Sequence, residues 1–164
     1  MTKAPRASPP IHVVLVEPEI HWNTGNIGRT CLGAGAQLHL VRPLGFQLTE
    51  ARLRRAGLDY WPRVEPRIWQ DWATFEEALP GLGQARFFSA EARMDYWDAS
   101  YDEEIALIFG AESSGLPTAV RRSYASRLYA VPMVDPQVRS LNLSTTVALV
   151  LYEAMRQRRT SNQA

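Results

Sequence analysis

The chain has 164 residues, of which 46% are hydrophobic and 21% charged, a composition typical of one soluble globular domain. Eighteen Lys and Arg against 17 Asp and Glu leave a net charge of +1. A nucleic-acid-binding surface would therefore have to come from local clusters of basic residues. The single cysteine, Cys31, excludes an intramolecular disulfide and disfavours a cysteine-based zinc site.

The sequence predicts one domain over residues 11–158. Residues 1–10 carry charges and prolines without the apolar stretch of a secretory signal, so we expect a disordered lead-in. Residues 159–164 are expected to be a flexible tail. No run approaches the 18 apolar residues of a membrane span, which predicts a cytoplasmic protein without a membrane contact.

Short β-branched runs alternate with amphipathic stretches along the chain. The predicted strands are 11–17, 37–43, 63–69, 85–90, 105–109 and 126–133. The predicted helices are 26–36, 49–61, 71–79, 117–124 and 140–159. This alternation predicts an α/β fold, with a mainly parallel sheet flanked by helices.

The most unusual stretches of the sequence follow predicted strands. They cover residues 17–28, 90–92, 110–117 and 132–144. Open parallel sheets bind ligands beyond the carboxyl ends of their strands. The functional site is therefore expected among these four loops.

Several common site motifs are absent. The segment "GAGAQL" fails as a dinucleotide fingerprint, because it precedes a strand and has Leu38 in place of the third glycine. "GNIGRTCLG" lacks the Gly-Lys-Ser/Thr of a phosphate-binding P-loop. "AESSG" resembles a nucleophile elbow, but the three histidines (His12, His21 and His39) all precede it, whereas an α/β-hydrolase needs a histidine after the serine. Neither is there a cluster of metal ligands.

The remaining polar residues allow two interpretations each. Glu112, after Gly110 in "FGAESSGLP", is either a site carboxylate or the solvated side chain of a tight turn. Ser140, Asn142 and Ser144 are more residues than one helix cap needs. Arg139 lies where the helix dipole disfavours a cation, which indicates contact with an anion or a role in shaping a site.

Three clusters of arginine are either solvated helix faces or contacts to a phosphate backbone. They consist of Arg52, Arg54 and Arg55; of Arg121 and Arg122; and of Arg156, Arg158 and Arg159.

Four segments together closely resemble the SPOUT methyltransferases. They are "EPEIHWNTGNIGRTC", "RRAGLDYW", "LIFGAESSGLP" and "VPMVDPQVRSLNLSTTVALVLYEAMRQ". The match is to the small, YibK-like tRNA (cytidine/uridine-2'-O)-methyltransferases of the wobble nucleotide, and it runs from about Ile11 to Gln157. One departure is Ala111, where many relatives have proline.

The resemblance implies S-adenosylmethionine as methyl donor, no metal, and a C-terminal trefoil knot (the SPOUT, or alpha-beta knot, fold). It further implies a homodimer that binds the tRNA anticodon stem-loop and methylates the ribose 2'-hydroxyl of nucleotide 34, with leucine tRNAs as the expected substrates. Two alternatives stay open: a SPOUT enzyme acting on another tRNA or rRNA nucleotide, and a catalytically inactive RNA-binding relative.

The resemblance also assigns residues. The implied cofactor-binding residues are Ala90, Gly110, Val131, Met133, Ser140, Leu141 and Asn142. The implied catalytic residues are Arg29, Asn23, Glu112, Asn142 and Ser144. The expected tRNA contacts are Arg29, Arg52, Arg54, Arg55 and Arg139.

No histidine is expected near these motifs except His21. We therefore expect Arg29 to act as a fixed cation that positions the ribose or its phosphate, with a hypothetical part in proton transfer.

Overall fold

The computed structural model describes residues 10–49 and 59–161. Seven strands form one sheet: β1 Ile11–Val16, β2 Gln37–Val41, β3 Arg67–Trp69, β4 Gln84–Phe88, β5 Met94–Asp95, β6 Ile105–Phe109 and β7 Leu128–Ala130. Their order is β3-β2-β1-β6-β4-β7-β5, and the paired strands all run parallel. The predicted α/β fold with a mainly parallel sheet is confirmed.

Five α-helices lie in the described ranges: α1 His21–Ala34, α2 Trp61–Val64, α3 Trp72–Ala78, α4 Thr118–Ser123 and α5 Leu143–Ser161. The predicted loop 17–28 is wrong in its second half, because α1 begins at His21 and takes in the whole "NTGN" segment. The predicted strand 63–69 is also too long: residues 61–64 are helical, and β3 begins after Pro66.

Alternate side chains of the strands pack on opposite faces of the sheet. On one face, Val13 and Leu15 pack with Ile27 of α1 and Leu151 of α5. On the other face, Val14 and its neighbours pack against α3 and α4. Cys31 is a buried member of the first cluster, and burial raises the pKa of its thiol to about 12. Cys31 is therefore a small packing residue rather than a reactive thiol.

A glycine in α1 allows this helix to approach α2 closely. A Cβ atom at Gly28 would lie 2.7 Å from Cζ3 of Trp61, which is buried in the same core. Tyr60, just before α2, donates a hydrogen bond from its hydroxyl to the carbonyl oxygen of Gly25 at 2.8 Å. Gly28 therefore serves helix packing.

Two histidines form a directed hydrogen-bond chain beneath α3. Trp69 Nε1 donates to His39 Nδ1 at 3.0 Å, so the proton of His39 lies on Nε2. His39 Nε2 then donates to His12 Nδ1 at 3.1 Å, and His12 Nε2 donates to Glu104 at 3.2 Å. Both imidazoles are thereby neutral packing groups in this arrangement.

Acid should weaken the fold through His39. Burial, the neighbouring His12 and Arg67 lower the pKa of His39 to about 3, whereas an unfolded histidine titrates near 6.5. The unfolded chain binds the extra proton below about pH 6.5, so this contribution to stability is lost as the pH falls from there toward 3. Urea unfolding of the native chain and of His39→Gln should show a smaller loss of stability in the variant over this pH range. Equal losses would contradict this role.

The basic cluster and the tail predicted at the C-terminal end differ from the structure. Arg158 is buried in α5 and donates from Nε to the carbonyl oxygen of Tyr101 at 2.8 Å, so it joins the helix to a loop and is not a surface cation. Arg156 pairs with Glu153. Residues 159–161, placed by the sequence in the tail, belong to α5. Arg52, Arg54, Arg55 and residues 1–9 lie outside the described residues.

Candidate active site

A cavity of about 520 Å³ opens at the carboxyl ends of β4, β6 and β7, beside the first turn of α1. Most of its walls come from the four segments that the sequence singled out: the start of α1, the residues after β4, the loop after β6, and the long connection between β7 and α5. Arg121 of α4 and the ends of the strands complete the lining. The site therefore lies where the strand order places it, next to the switch from β1 to β6 at the centre of the sheet.

Glu112 caps α1 from a distant part of the chain. The residue before the helix, Ile20, offers no capping side chain. Instead, the Glu112 carboxylate accepts hydrogen bonds from the backbone N–H groups of Glu19 at 2.7 Å and Ile20 at 3.1 Å, and from Asn23 Nδ2 at 3.2 Å. A negative charge at this end also complements the helix dipole. Glu112 is thus a structural anchor that at the same time lines the cavity.

Glu19 returns the interaction. Its carboxylate accepts hydrogen bonds from the backbone N–H of Ser113 at 2.8 Å and the Ser113 hydroxyl at 2.7 Å. These bonds hold the pKa of Glu19 below its usual value. The two glutamates therefore cross-link the loop after β6 to the start of α1, and we call this arrangement the glutamate clasp (Glu19, Glu112 and Ser113).

Asn23 connects the clasp to the start of α5. Its Oδ1 accepts from Asn142 Nδ2 at 3.0 Å, and because its own Nδ2 donates to Glu112, the orientation of the amide is determined. Asn142 Oδ1 in turn accepts from the backbone N–H and the hydroxyl of Ser144, at 2.8 and 2.7 Å. Asn142 is therefore the N-cap of α5, and its side chain also lines the cavity.

The loop after β6 is closed on itself. Ala111 and Gly115 exchange two backbone hydrogen bonds, at 3.1 and 2.9 Å. A Cβ atom at Gly110 would lie 2.0 Å from the carbonyl carbon of Gly115, and Gly115 has a φ of 68°. The packing of the loop itself thus requires glycine at position 110. Residues 110–115 of the loop all line the cavity.

Part of the cavity wall is apolar. Phe88 and Phe109 stack with their ring centroids 4.8 Å apart, and Val131, Met133 and Leu141 complete this side. An apolar slot next to fixed backbone donors and acceptors suits a flat heterocycle that needs a few hydrogen bonds.

Most residues that the sequence assigned to the site come together at this cavity. Those that line it are Asn23, Ala90, Gly110, Glu112, Val131, Met133, Arg139, Ser140, Leu141 and Asn142. Two do not line it. Ser144 is buried behind Asn142, where it also accepts from Asn26 Nδ2 at 3.1 Å.

Arg29 lies two turns along α1 from Asn23, outside the cavity. Its guanidinium carbon is 4.7 Å from the centre of the Tyr60 ring, which holds the cation on the outer surface of the helix. Within residues 10–49 and 59–161, no group of three or more His, Cys, Asp or Glu residues is placed to hold a metal ion. Nor is any helix in those ranges long and apolar enough to cross a membrane.

The sequence assigned none of four polar residues to this cavity, although it grouped Arg121 with Arg122 as a solvated helix face or a phosphate contact. Glu19 and Ser113 form half of the glutamate clasp, and Glu91 and Arg121 form an ion pair on the cavity wall. Each pair joins residues at least 30 positions apart, so no local pattern predicts it. The repeated Glu in "EPEI" was the one available signal.

The chain is similar to known RNA methyltransferases over most of its length. The SpoU rRNA Methylase family matches residues 10–152. A tRNA (cytidine(34)-2'-O)-methyltransferase of Burkholderia pseudomallei is 45% identical over 148 residues, which cover 89% of this chain and 94% of that protein.

Two solved structures of similar proteins support the same family assignment. One from work described as "Structural insights into the 2-OH methylation of C/U34 on tRNA" has a TM-score of 0.84 and 44% identity, covering 93% of this chain and 92% of the other. An AdoMet-bound rRNA methyltransferase from Sinorhizobium meliloti has a TM-score of 0.73 and 26% identity, covering 92% of this chain and 57% of the other. With a match over most of its length, the chain belongs to the SpoU methylase family.

Proposed function

We propose that this protein transfers a methyl group from S-adenosylmethionine to the ribose 2'-hydroxyl of cytidine or uridine 34 of tRNA, with leucine tRNAs as its substrates. The observation that carries this proposal is the polar network of Glu112, Asn23 and Asn142 on the wall of a half-apolar cavity. The similarity to proteins named for methylation of nucleotide 34 supports the choice of substrate.

The cavity fits the proposed cofactor in size and chemistry. Its volume of about 520 Å³ lies in the range of cofactor sites. Val131, Met133 and Leu141 would hold the adenine, while the backbone at Ala90, Gly110 and Ser140 would meet its polar edge and the ribose. S-adenosylmethionine supplies an electrophilic methyl group bound to a sulfonium.

The chain's own contribution is mainly positional. Glu112, Asn23 and Asn142 fix one another, so the acceptor ribose meets side chains that are already oriented. Alignment of the 2'-oxygen with the methyl carbon supplies much of the catalysis of such a transfer. Arg29, on the outer face of α1, would then act as a fixed positive charge on the tRNA phosphate next to the acceptor ribose.

Ser144 serves this function indirectly. It is buried, and its hydroxyl bonds to Asn142 and Asn26. We therefore propose that Ser144 positions Asn142, in place of the direct catalytic role that the resemblance suggested.

A homodimer would complete the RNA-binding surface. Trp22, Leu149 and Tyr152 are exposed on the outer sides of α1 and α5, and Tyr152 lies beside Gly33. Exposed apolar side chains on two packed helices suit contact with a second copy of the chain. Arg29 on α1 would then lie near this contact.

Three finer features belong to the same proposal. We expect the C-terminal part of the domain to form a trefoil knot. We further expect the domain to span residues 11–158, and the protein to act in the cytoplasm on the anticodon stem-loop.

Arg52, Arg54 and Arg55 should bind the tRNA backbone. Replacing all three with Gln should weaken tRNA binding and lower the slope of log Kd against log salt by about two to three, because each phosphate contact releases counterions. Cofactor affinity should stay unchanged. Filter binding at several salt concentrations measures the slope, with Arg127→Gln as a control at an exposed arginine away from the cavity. An unchanged slope would assign the three arginines to a solvated surface.

The proposed function is tested by incubation with labelled S-adenosylmethionine and, separately, total tRNA and ribosomal RNA from cells lacking the activity. Label should enter tRNA alone, as 2'-O-methylcytidine or 2'-O-methyluridine. Label in ribosomal RNA would favour a relative with another substrate, and binding of tRNA without any transfer would indicate an inactive RNA-binding protein.

A further inference from the structure

An ion pair spans two walls of the cavity. Glu91, in the loop after β4, pairs with Arg121 of α4, and both residues line the cavity. The Arg121 guanidinium is also held by Thr118 Oγ1 at 3.4 Å, while the backbone N–H of Glu91 donates to Ser89 Oγ at 3.3 Å. Glu91 is therefore fixed at both its backbone and its carboxylate.

Glu91 is available to a ligand, unlike the other glutamate on the cavity wall. Both oxygens of Glu112 accept hydrogen bonds from the start of α1. Only Oε2 of Glu91 is engaged by Arg121, and the side chain is 77% exposed. Oε1 forms no hydrogen bond to the described residues, so it can accept one from a bound molecule.

The strand order places Glu91 between the polar and the apolar ends of the cavity. Successive neighbours in the sheet are β1, β6, β4 and β7. The residues that follow them are Asn23 and Glu112 at the polar end, then Glu91, then Val131 at the apolar end. Glu91 follows β4, which pairs with both β6 and β7, so in strand order it lies between the two ends of the cavity.

We propose that Glu91, oriented by Arg121, accepts hydrogen bonds from the ribose hydroxyls of the bound cofactor. This inference rests on the proposed function. With adenine at the apolar end and the methyl group at the polar end, the ribose that joins them falls opposite β4. A carboxylate can accept from both hydroxyls of a ribose, the interaction by which acidic residues select nucleosides in other α/β proteins.

The test compares ligands that differ only in these hydroxyls. Isothermal titration measures Kd for S-adenosylhomocysteine and for its 2'-deoxy and 3'-deoxy analogues. We expect the native chain to bind the full nucleoside about tenfold more tightly than at least one deoxy analogue. In Glu91→Ala, affinity for S-adenosylhomocysteine should fall about tenfold, and the preference over that analogue should fall to about one.

Three further variants test whether the change in preference comes from hydrogen bonds to Glu91 rather than from any loss of a charged side chain. Glu91→Gln, which keeps an acceptor without the charge, should retain part of the preference. Arg121→Ala should reduce the preference by freeing the Glu91 side chain. Glu77→Ala, an exposed glutamate on α3 away from the cavity, should bind all three ligands as the native chain does.

The outcomes are distinguishable. If Glu91→Ala keeps the native preference for the hydroxyls, or if the native chain has none, the inference is overturned while the proposed function stands. If Glu91 instead contacts the amino-acid amino group of the ligand, Glu91→Ala will likewise leave the preference for the ribose hydroxyls unchanged. If the native chain does not bind S-adenosylhomocysteine, the proposed function itself fails.

Discussion

Replacing Arg29 with Ala should lower kcat for tRNA methylation by about a hundredfold or more, because the fixed cation proposed to hold the phosphate beside the acceptor ribose is lost. The affinity for S-adenosylhomocysteine should not change, since Arg29 lies outside the cavity that would hold the cofactor. Single-turnover methyl transfer at saturating tRNA measures the chemical step, and titration measures cofactor binding.

The controls separate charge from geometry. Arg29→Lys keeps a positive charge but loses the planar guanidinium over Tyr60, so it should recover part of the rate. Arg127→Ala removes an exposed arginine elsewhere and should leave the rate unchanged. Full methyl transfer by Arg29→Ala, together with normal tRNA affinity, would show that Arg29 has no part in the reaction.

The second large effect should come from Glu112→Ala. The variant leaves two N–H groups at the start of α1 and the amide of Asn23 without their acceptor. We expect the free energy of unfolding to fall by about 2 kcal/mol, by analogy with lost helix caps and charged hydrogen bonds. Methyl transfer should fall by about a hundredfold, because Asn23 and Asn142 lose their fixed orientation. Urea unfolding and single-turnover transfer measure the two effects.

Glu19→Gln distinguishes anchoring from chemistry. It weakens the other half of the glutamate clasp without altering the Glu112 carboxylate. If Glu112 acts by anchoring, Glu19→Gln should lower both stability and transfer, to a smaller extent than Glu112→Ala. Unchanged transfer in Glu19→Gln, with a large loss in Glu112→Ala, would instead assign Glu112 a direct chemical role.

The strands and the position of the site were predictable because both depend on local patterns. Apolar runs such as Ile11–Val16 and Ile105–Phe109 are long enough to define buried strands. Strands of a parallel sheet all end at one edge, so the unusual loops after them had to meet there. The cavity at these loops follows from that rule.

The start of α1 could not be predicted, because its cap lies 92 residues away. "HWNTGN" contains two asparagines and a glycine and has no capping side chain before it, which is typical of a loop. Glu112 supplies the missing acceptors through tertiary contacts. Gly28 has a similar explanation, since its closeness to Trp61 of α2 depends on the packing of two helices.

For the arginine clusters, sequence spacing alone gave a misleading prediction. Sequence spacing grouped Arg156, Arg158 and Arg159 as one basic surface. Arg158, however, points into the protein and bonds to backbone carbonyl oxygens, whereas Arg156 pairs with a neighbouring glutamate. Helical neighbours point in different directions, so a cluster in sequence need not be a cluster on the surface.

We propose that the methyl group goes to the 2'-oxygen of nucleotide 34. The most direct test is single-turnover transfer to two leucine tRNAs that are identical except that one carries 2'-deoxyribose at position 34. The native tRNA should accept one methyl group, mapped to the ribose of nucleotide 34, and the deoxy tRNA should bind equally well and accept none. Methylation of the deoxy tRNA, or a methyl group mapped to a base or to another nucleotide, would contradict the account.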